Sequence, residues 1–158
     1  MATHDVLHGI GVSAGTAAAP AAIVQPAPGV DTTEPGSVDA AADGARVREA
    51  LAAVSARLSD RAANAPEETK AILKATAQLA GDRGLAKAVD KKLKKGLGVT
   101  QAVHDAVEDY AQMLRSLGGY MAERATDLYD VRDRAICELR GLPEPGVPAF
   151  DGPVVLVA

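Results

Sequence analysis

Few residues in this chain have the types and spacing that covalent or metal chemistry needs. The histidines are His4, His8 and His104. His104 precedes Asp105 directly and Glu108 by four positions, a setting that suits a base or a metal ligand. No second or third His or Cys ligand stands at a recognisable spacing, so a solvated or locally hydrogen-bonded imidazole is the better reading. Glu67 and Glu68 are adjacent and do not share a helical face, which rules against a catalytic carboxylate pair. They suit a helix start, or an acidic patch turned to a partner. Cys137 is the only cysteine. It falls among core-facing helical positions and reads as packing. The Ser13-Ala14-Gly15 bend resembles a phosphate cradle but lacks the full P-loop pattern and its lysine. No nucleophile–base arrangement emerges. The expectation is a module for protein contact, with no catalytic and no metal-binding residue.

The elements that must position such a surface are helical. Met121, Ala125, Leu128, Ala135, Ile136 and Leu139 recur at three- and four-residue spacing and line one side of a long helix. Gly141 and Pro143 stop it. Before it, Val47, Leu51, Val54 and Leu58 mark a helix to about Ala62, with Ser37 or Asp39 as its cap. Pro66, Glu67 and Glu68 open the next, whose buried side is read as Ala71, Ile72, Ala75 and Leu79. Gly81 to Gly84 breaks it. Leu85, Val89 and Leu93 begin a short helix ending near Gly96 or Gly98. Thr100 is an N-cap candidate for a helix carrying Val103, Val107, Tyr110, Leu114 and Leu117. Gly118-Gly119 separates that helix from the long one, or bends the two as one. The apolar register nearly carries across, which favours the bend.

The ends differ in kind. His8 to Val24 reads as a short strand, a glycine-rich bend and a second strand. Pro26 to Gly36 is an exposed connection. Pro153 to Ala158 is a continuous apolar strand, a pattern that wants cover on both faces, as in a parallel α/β sheet. The two ends therefore read as pieces of one α/β unit with a helical unit inserted between them. The rest of that unit is missing, so the chain is expected to be an N-terminal fragment.

Composition bounds the partners. The chain has 158 residues, 47% hydrophobic and 24% charged, with 3% aromatic and a net charge of −4. That is a folded composition with no basic footprint for nucleic acid. The one basic cluster, Lys91-Lys92-Leu93-Lys94-Lys95, suits the C-terminal turn of a helix. No apolar run is long enough to span a bilayer, and no secretory signal opens the chain. The lone cysteine fits a reduced cytoplasmic setting.

Three segments together resemble enzyme I of the phosphoenolpyruvate-dependent sugar phosphotransferase system. Gly9-Ile10-Gly11-Val12-Ser13-Ala14-Gly15 is similar to the family's opening strand and turn, with Ala14 in place of the usual proline. Tyr120-Met121-Ala122-Glu123-Arg124-Ala125-Thr126-Asp127-Leu128-Tyr129-Asp130-Val131 is similar to its "Y-ERAADVRDI" helix, with Tyr129 in place of an arginine. Val154-Val155-Leu156-Val157-Ala158 resembles the "VILVA" strand leading into the phosphohistidine domain. Thr76 stands where a docking histidine is common, and Gln78 where a methionine can sit.

The resemblance implies a mainly α chain, a four-helix-type domain inserted into a truncated α/β swivelling, phosphohistidine-bearing domain. Residues 1–26 would give that domain's first strands, 37–141 the helical domain that docks the phosphocarrier HPr, and 147–158 the returning strand. The parent would be a phosphoenolpyruvate-protein phosphotransferase that uses magnesium and dimerises through a C-terminal domain absent here. None of His4, His8 or His104 matches the active histidine, so the fragment is expected to be inert and to need no cofactor. The docking surface carried over is Glu67, Glu68, Leu79, Leu85, Met113, Tyr120, Met121, Arg124 and Asp127. Arg124 would contact the carrier or pair with Asp127 to shape the helix surface. The alternatives are an enzyme I-like segment of a dihydroxyacetone-kinase or multiphosphoryl-transfer protein, and a helical adaptor without enzyme chemistry.

Overall fold

The computed structural model describes residues 10–148 and 150–158. Its order is β1 (Ala21–Ile23), α1 (Ala40–Ala63), α2 (Glu67–Ala80), α3 (Arg83–Leu93), α4 (Val99–Leu117), α5 (Gly119–Arg140) and β2 (Val155–Val157). The helices share one core. α2 and α3 both lie against α1, α4 packs on α3 and α5, and α5 also reaches α1 and α2.

Large aliphatics at helical spacing set most of that core. Val47, Leu51, Val54 and Leu58 are buried on α1, Leu85, Val89 and Leu93 on α3, and Leu128, Val131 and Ile136 on α5. Burying each such side chain contributes about 1.5–3 kcal/mol. Asp39 caps α1 by accepting from Ala41 and Ala42 backbone N–H at 3.1 and 3.0 Å. Ser37 instead donates to Asp43 at 2.7 Å. Asp82 caps α3 through Leu85 N–H at 2.8 Å.

On α2 the buried positions are Thr76, Ala77 and Ala80, while Ile72 is 55% exposed and Ala71 is exposed. The inward stripe is thus one position out of phase with the one expected. Thr100 is not the cap of α4. It sits inside the helix, and its N–H and hydroxyl both donate to the Glu34 carboxylate at 2.8 and 2.7 Å. Leu117 is 65% exposed. α4 and α5 are not one bent helix: Gly118 separates them with φ 71° and ψ −175°, and Gly119 follows with φ 53°. The chain folds back there, and α4 and α5 pack along each other. Gly141 stops α5 as expected, in the left-handed conformation with φ 64°.

At the ends, residues 10–12 carry no strand; His8 and Gly9, where the first expected strand begins, lie outside the described residues. β1 and β2 form a parallel pair in register, Ala21 to Val155, Ala22 to Leu156 and Ile23 to Val157. Ile23, Val155, Leu156 and Val157 are all exposed.

Candidate docking surface

The Gly118 turn brings the end of α4 beside the start of α5, and α2 packs against α5. This junction gathers large apolar side chains that the core does not take. Ile72 on α2, Met113 and Leu117 on α4, and Tyr120 and Met121 on α5 are all exposed, Met121 least at 42%. Met113 and Leu117 are four apart and share a helical face.

Arg124 is the ordered polar group of this region. Its guanidinium donates to Asp127 at 2.8 Å, stacks 4.5 Å from the centroid of the Tyr120 ring and donates to the Tyr120 hydroxyl. Ile72, Tyr120, Glu123, Arg124 and Asp127 line one shallow depression between α2 and α5. A guanidinium held by a carboxylate and an aromatic ring loses little freedom when it meets a second partner. Glu67 and Glu68 are exposed in the first turn of α2. Glu67 pairs loosely with Lys70 at 3.5 Å, and Glu68 lies one turn before Ile72. The surface is therefore apolar at its centre with acids toward one side.

The remaining site residues divide. Leu79 is partly buried and packs on the core. Leu85 is 1% exposed inside the bundle and offers no surface for contact. Its spacing with Val89 and Leu93 makes it core, which corrects the docking role that the resemblance implies for it. Thr76, at the position where a histidine is common, is turned inward and donates to the Ile72 carbonyl at 3.0 Å. Ile72 and Leu117 were missed because both were counted with the buried stripes. Only the phase of α2 and the turn at Gly118 put them outside.

Chemistry elsewhere stays bland. His104 Nδ1 lies 3.1 Å from Asp105, and Nε2 lies 4.0 Å from Glu108. No group of three metal-ligating side chains forms among the described residues; His4 and His8 lie outside them. Cys137 is buried. Burial pushes its thiol up, as does the charge of Asp133, which keeps it protonated and unreactive. No helix among the described residues is long and apolar enough to cross a membrane.

Comparison with known proteins places the chain. The family model described as PEP-utilising enzyme, N-terminal, matches residues 8–124. A phosphoenolpyruvate-protein phosphotransferase of Streptomyces coelicolor is 41% identical over 120 residues, covering 76% of this chain and 22% of that protein. One of Haloferax volcanii is 33% identical over 89 residues, covering 51% of this chain and 16% of that protein. The chain thus spans about a fifth of the length of these relatives. Among solved structures, the N-terminal domain of Enzyme 1 - Nitrogen matches 89% of this chain and 59% of its own, with TM-score 0.61 and 26% identity. A solution structure of an Enzyme I protein, nEIt, matches 78% of this chain and 53% of its own, with TM-score 0.63 and 26% identity. An inward aliphatic bundle, a parallel pair of end strands and these matches lead to one assignment: the chain belongs to the family of PEP-utilising enzyme N-terminal domains.

Proposed function

We propose that this chain is the carrier-docking portion of a phosphoenolpyruvate-protein phosphotransferase, enzyme I, and that it seats the phosphocarrier HPr during sugar uptake in the cytoplasm. One observation carries the reading. A bundle of this family leaves Ile72, Leu117, Tyr120 and Met121 exposed around a preoriented Arg124. Exposed aromatic and aliphatic groups beside an ordered arginine are what the centre of an interface requires.

In the transfer, the P–N bond on the enzyme's histidine breaks as a P–N bond to the carrier's histidine forms. The part of this chain is to hold the carrier. Met113, Tyr120 and Met121 supply contact area with Ile72, while Glu67 and Glu68 attract a basic rim and speed encounter at low salt. The histidine, phosphoenolpyruvate and magnesium belong to other segments of the parent, as does dimerisation. The purified 158-residue chain is therefore expected to yield no phosphoprotein with phosphoenolpyruvate, magnesium and HPr.

The test is titration of fluorescently labelled HPr with the wild-type chain and with Met121→Lys. We expect the substitution to weaken binding at least about tenfold, the loss of roughly 1.4 kcal/mol at one central contact. Unchanged affinity would refute the docking surface.

A further inference from the structure

The returning linker is fastened to the bundle at one side chain. The Glu144 carboxylate accepts from Arg57 Nε at 2.5 Å, Arg61 at 2.7 Å and Arg134 at 2.8 Å. The first two arginines lie one turn apart on α1, and the third is on α5. Two of the three are themselves held from the far side. Arg57 also donates to Glu138 at 2.8 Å, and Arg134 to Asp130 at 2.8 Å. One carboxylate thus answers three guanidiniums from two helices, in a segment that has no helical structure of its own.

Two residues on, Gly146 exchanges both backbone hydrogen bonds with Gln25, at 2.8 and 2.9 Å. Val24, which precedes Gln25, donates to Val157 of β2 at 2.8 Å. Hydrogen bonds at Glu144, at the Gly146–Gln25 pair and at Val24, joined by short stretches of backbone, connect α1 and α5 to both linkers and the strand pair. Among the described residues no helix packs extensively on β1 or β2. The attitude of the strands on the bundle therefore depends on the linkers, and Glu144 is where the returning one is tied.

We infer that Glu144 is a positioning residue for phosphoryl delivery. It sets the orientation of the strand pair, and of the sheet built on that pair, toward the docking face of α2, α4 and α5. The delivery role, the larger sheet and the docking face rest on the function proposed above; the hold of Glu144 on the strand pair does not. A donor and acceptor held in one relative orientation react as if in a single molecule, and freeing one of them lowers the fraction of productive arrangements. Loosening the clamp should therefore slow transfer without weakening the carrier's seat, which lies on other residues.

The experiment uses the full-length parent protein, with Glu144→Gln and, as a milder second variant, Arg61→Gln. Spin labels at Lys74→Cys on α2 and Asp151→Cys before β2 report the distance across the clamp, and thermal melts confirm folding. Steady-state transfer to HPr gives kcat and KM. We expect the narrow wild-type distance distribution to broaden or shift in both variants, with kcat several-fold lower and KM for HPr unchanged. An unchanged distribution, a shift without a fall in kcat, or a rise in KM that accounts for the loss overturns the inference. If the wild-type parent transfers nothing to HPr, the functional reading fails, while the label distances still decide whether Glu144 holds the strands.

Discussion

Two leucine-sized side chains show what burial decides at the scale of a residue. Leu85 is 1% exposed and Met121 is 42% exposed. A lysine at the first position must bury an unpaired charge in the core, and one at the second points to water. Leu85→Lys should cost more than about 3 kcal/mol, and Met121→Lys about 0.5 kcal/mol or less. Urea denaturation of the two variants checks the contrast. Glu144 gives a pH dependence of definite sign. Burial alone would raise its carboxyl, but the hydrogen bond from Arg57 and the charges of Arg61 and Arg134 outweigh burial and lower it from the usual 4.5. The folded state therefore binds this proton less readily than the unfolded chain does. The stabilisation is complete above the ordinary carboxylate value and fades as pH falls through the lowered one. Glu144→Gln should cost about 1 kcal/mol at neutral pH, modest because the cluster is partly solvated. Its deficit relative to wild type should shrink below about pH 4 in parallel melts.

At the scale of the element, legibility follows side-chain size and sequence distance. α1 and α3 could be read because Val and Leu at every third or fourth position leave one choice of inward face. α2 could not, because alanine occupies so many of its positions that two neighbouring stripes look alike; Thr76 and Ala77 go inside and Ile72 stays out. The α4–α5 hairpin was hidden by an apolar register that nearly crosses Gly118-Gly119. The backbone at Gly118 combines a positive φ with an extended ψ, a region nearly closed to residues with a Cβ. The start of α4 was read to within a couple of residues, but the group that satisfies it was beyond local reading, since that carboxylate comes from Glu34, 66 positions earlier. Thr100 is 3% exposed, so removing its partner leaves a buried N–H and hydroxyl unsatisfied. Glu34→Ala should lower stability by about 1–3 kcal/mol, read as a drop in thermal midpoint. A change in the exposed Glu67 should leave that midpoint nearly fixed.

At the scale of the molecule, a helical bundle hangs between two short strands that meet each other and little else. That both ends belong to one sheet could be read from the strand character of the opening and closing stretches; that they pair directly, Ala21 to Val155, could not. The chemistry of the docking face was legible only in part. Tyr120, Met121, Arg124 and Asp127 are local to one helix, whereas the contribution of Ile72 depends on how α2 sits on α5. The exposed cluster is what the proposed docking role rests on. The most direct test is a titration of the isotope-labelled chain with unlabelled HPr, following backbone amide resonances. The account predicts that shifts concentrate at Glu68, Ile72, Leu117, Tyr120, Met121 and Arg124. Shifts confined to α3, or none at saturating carrier, would contradict it.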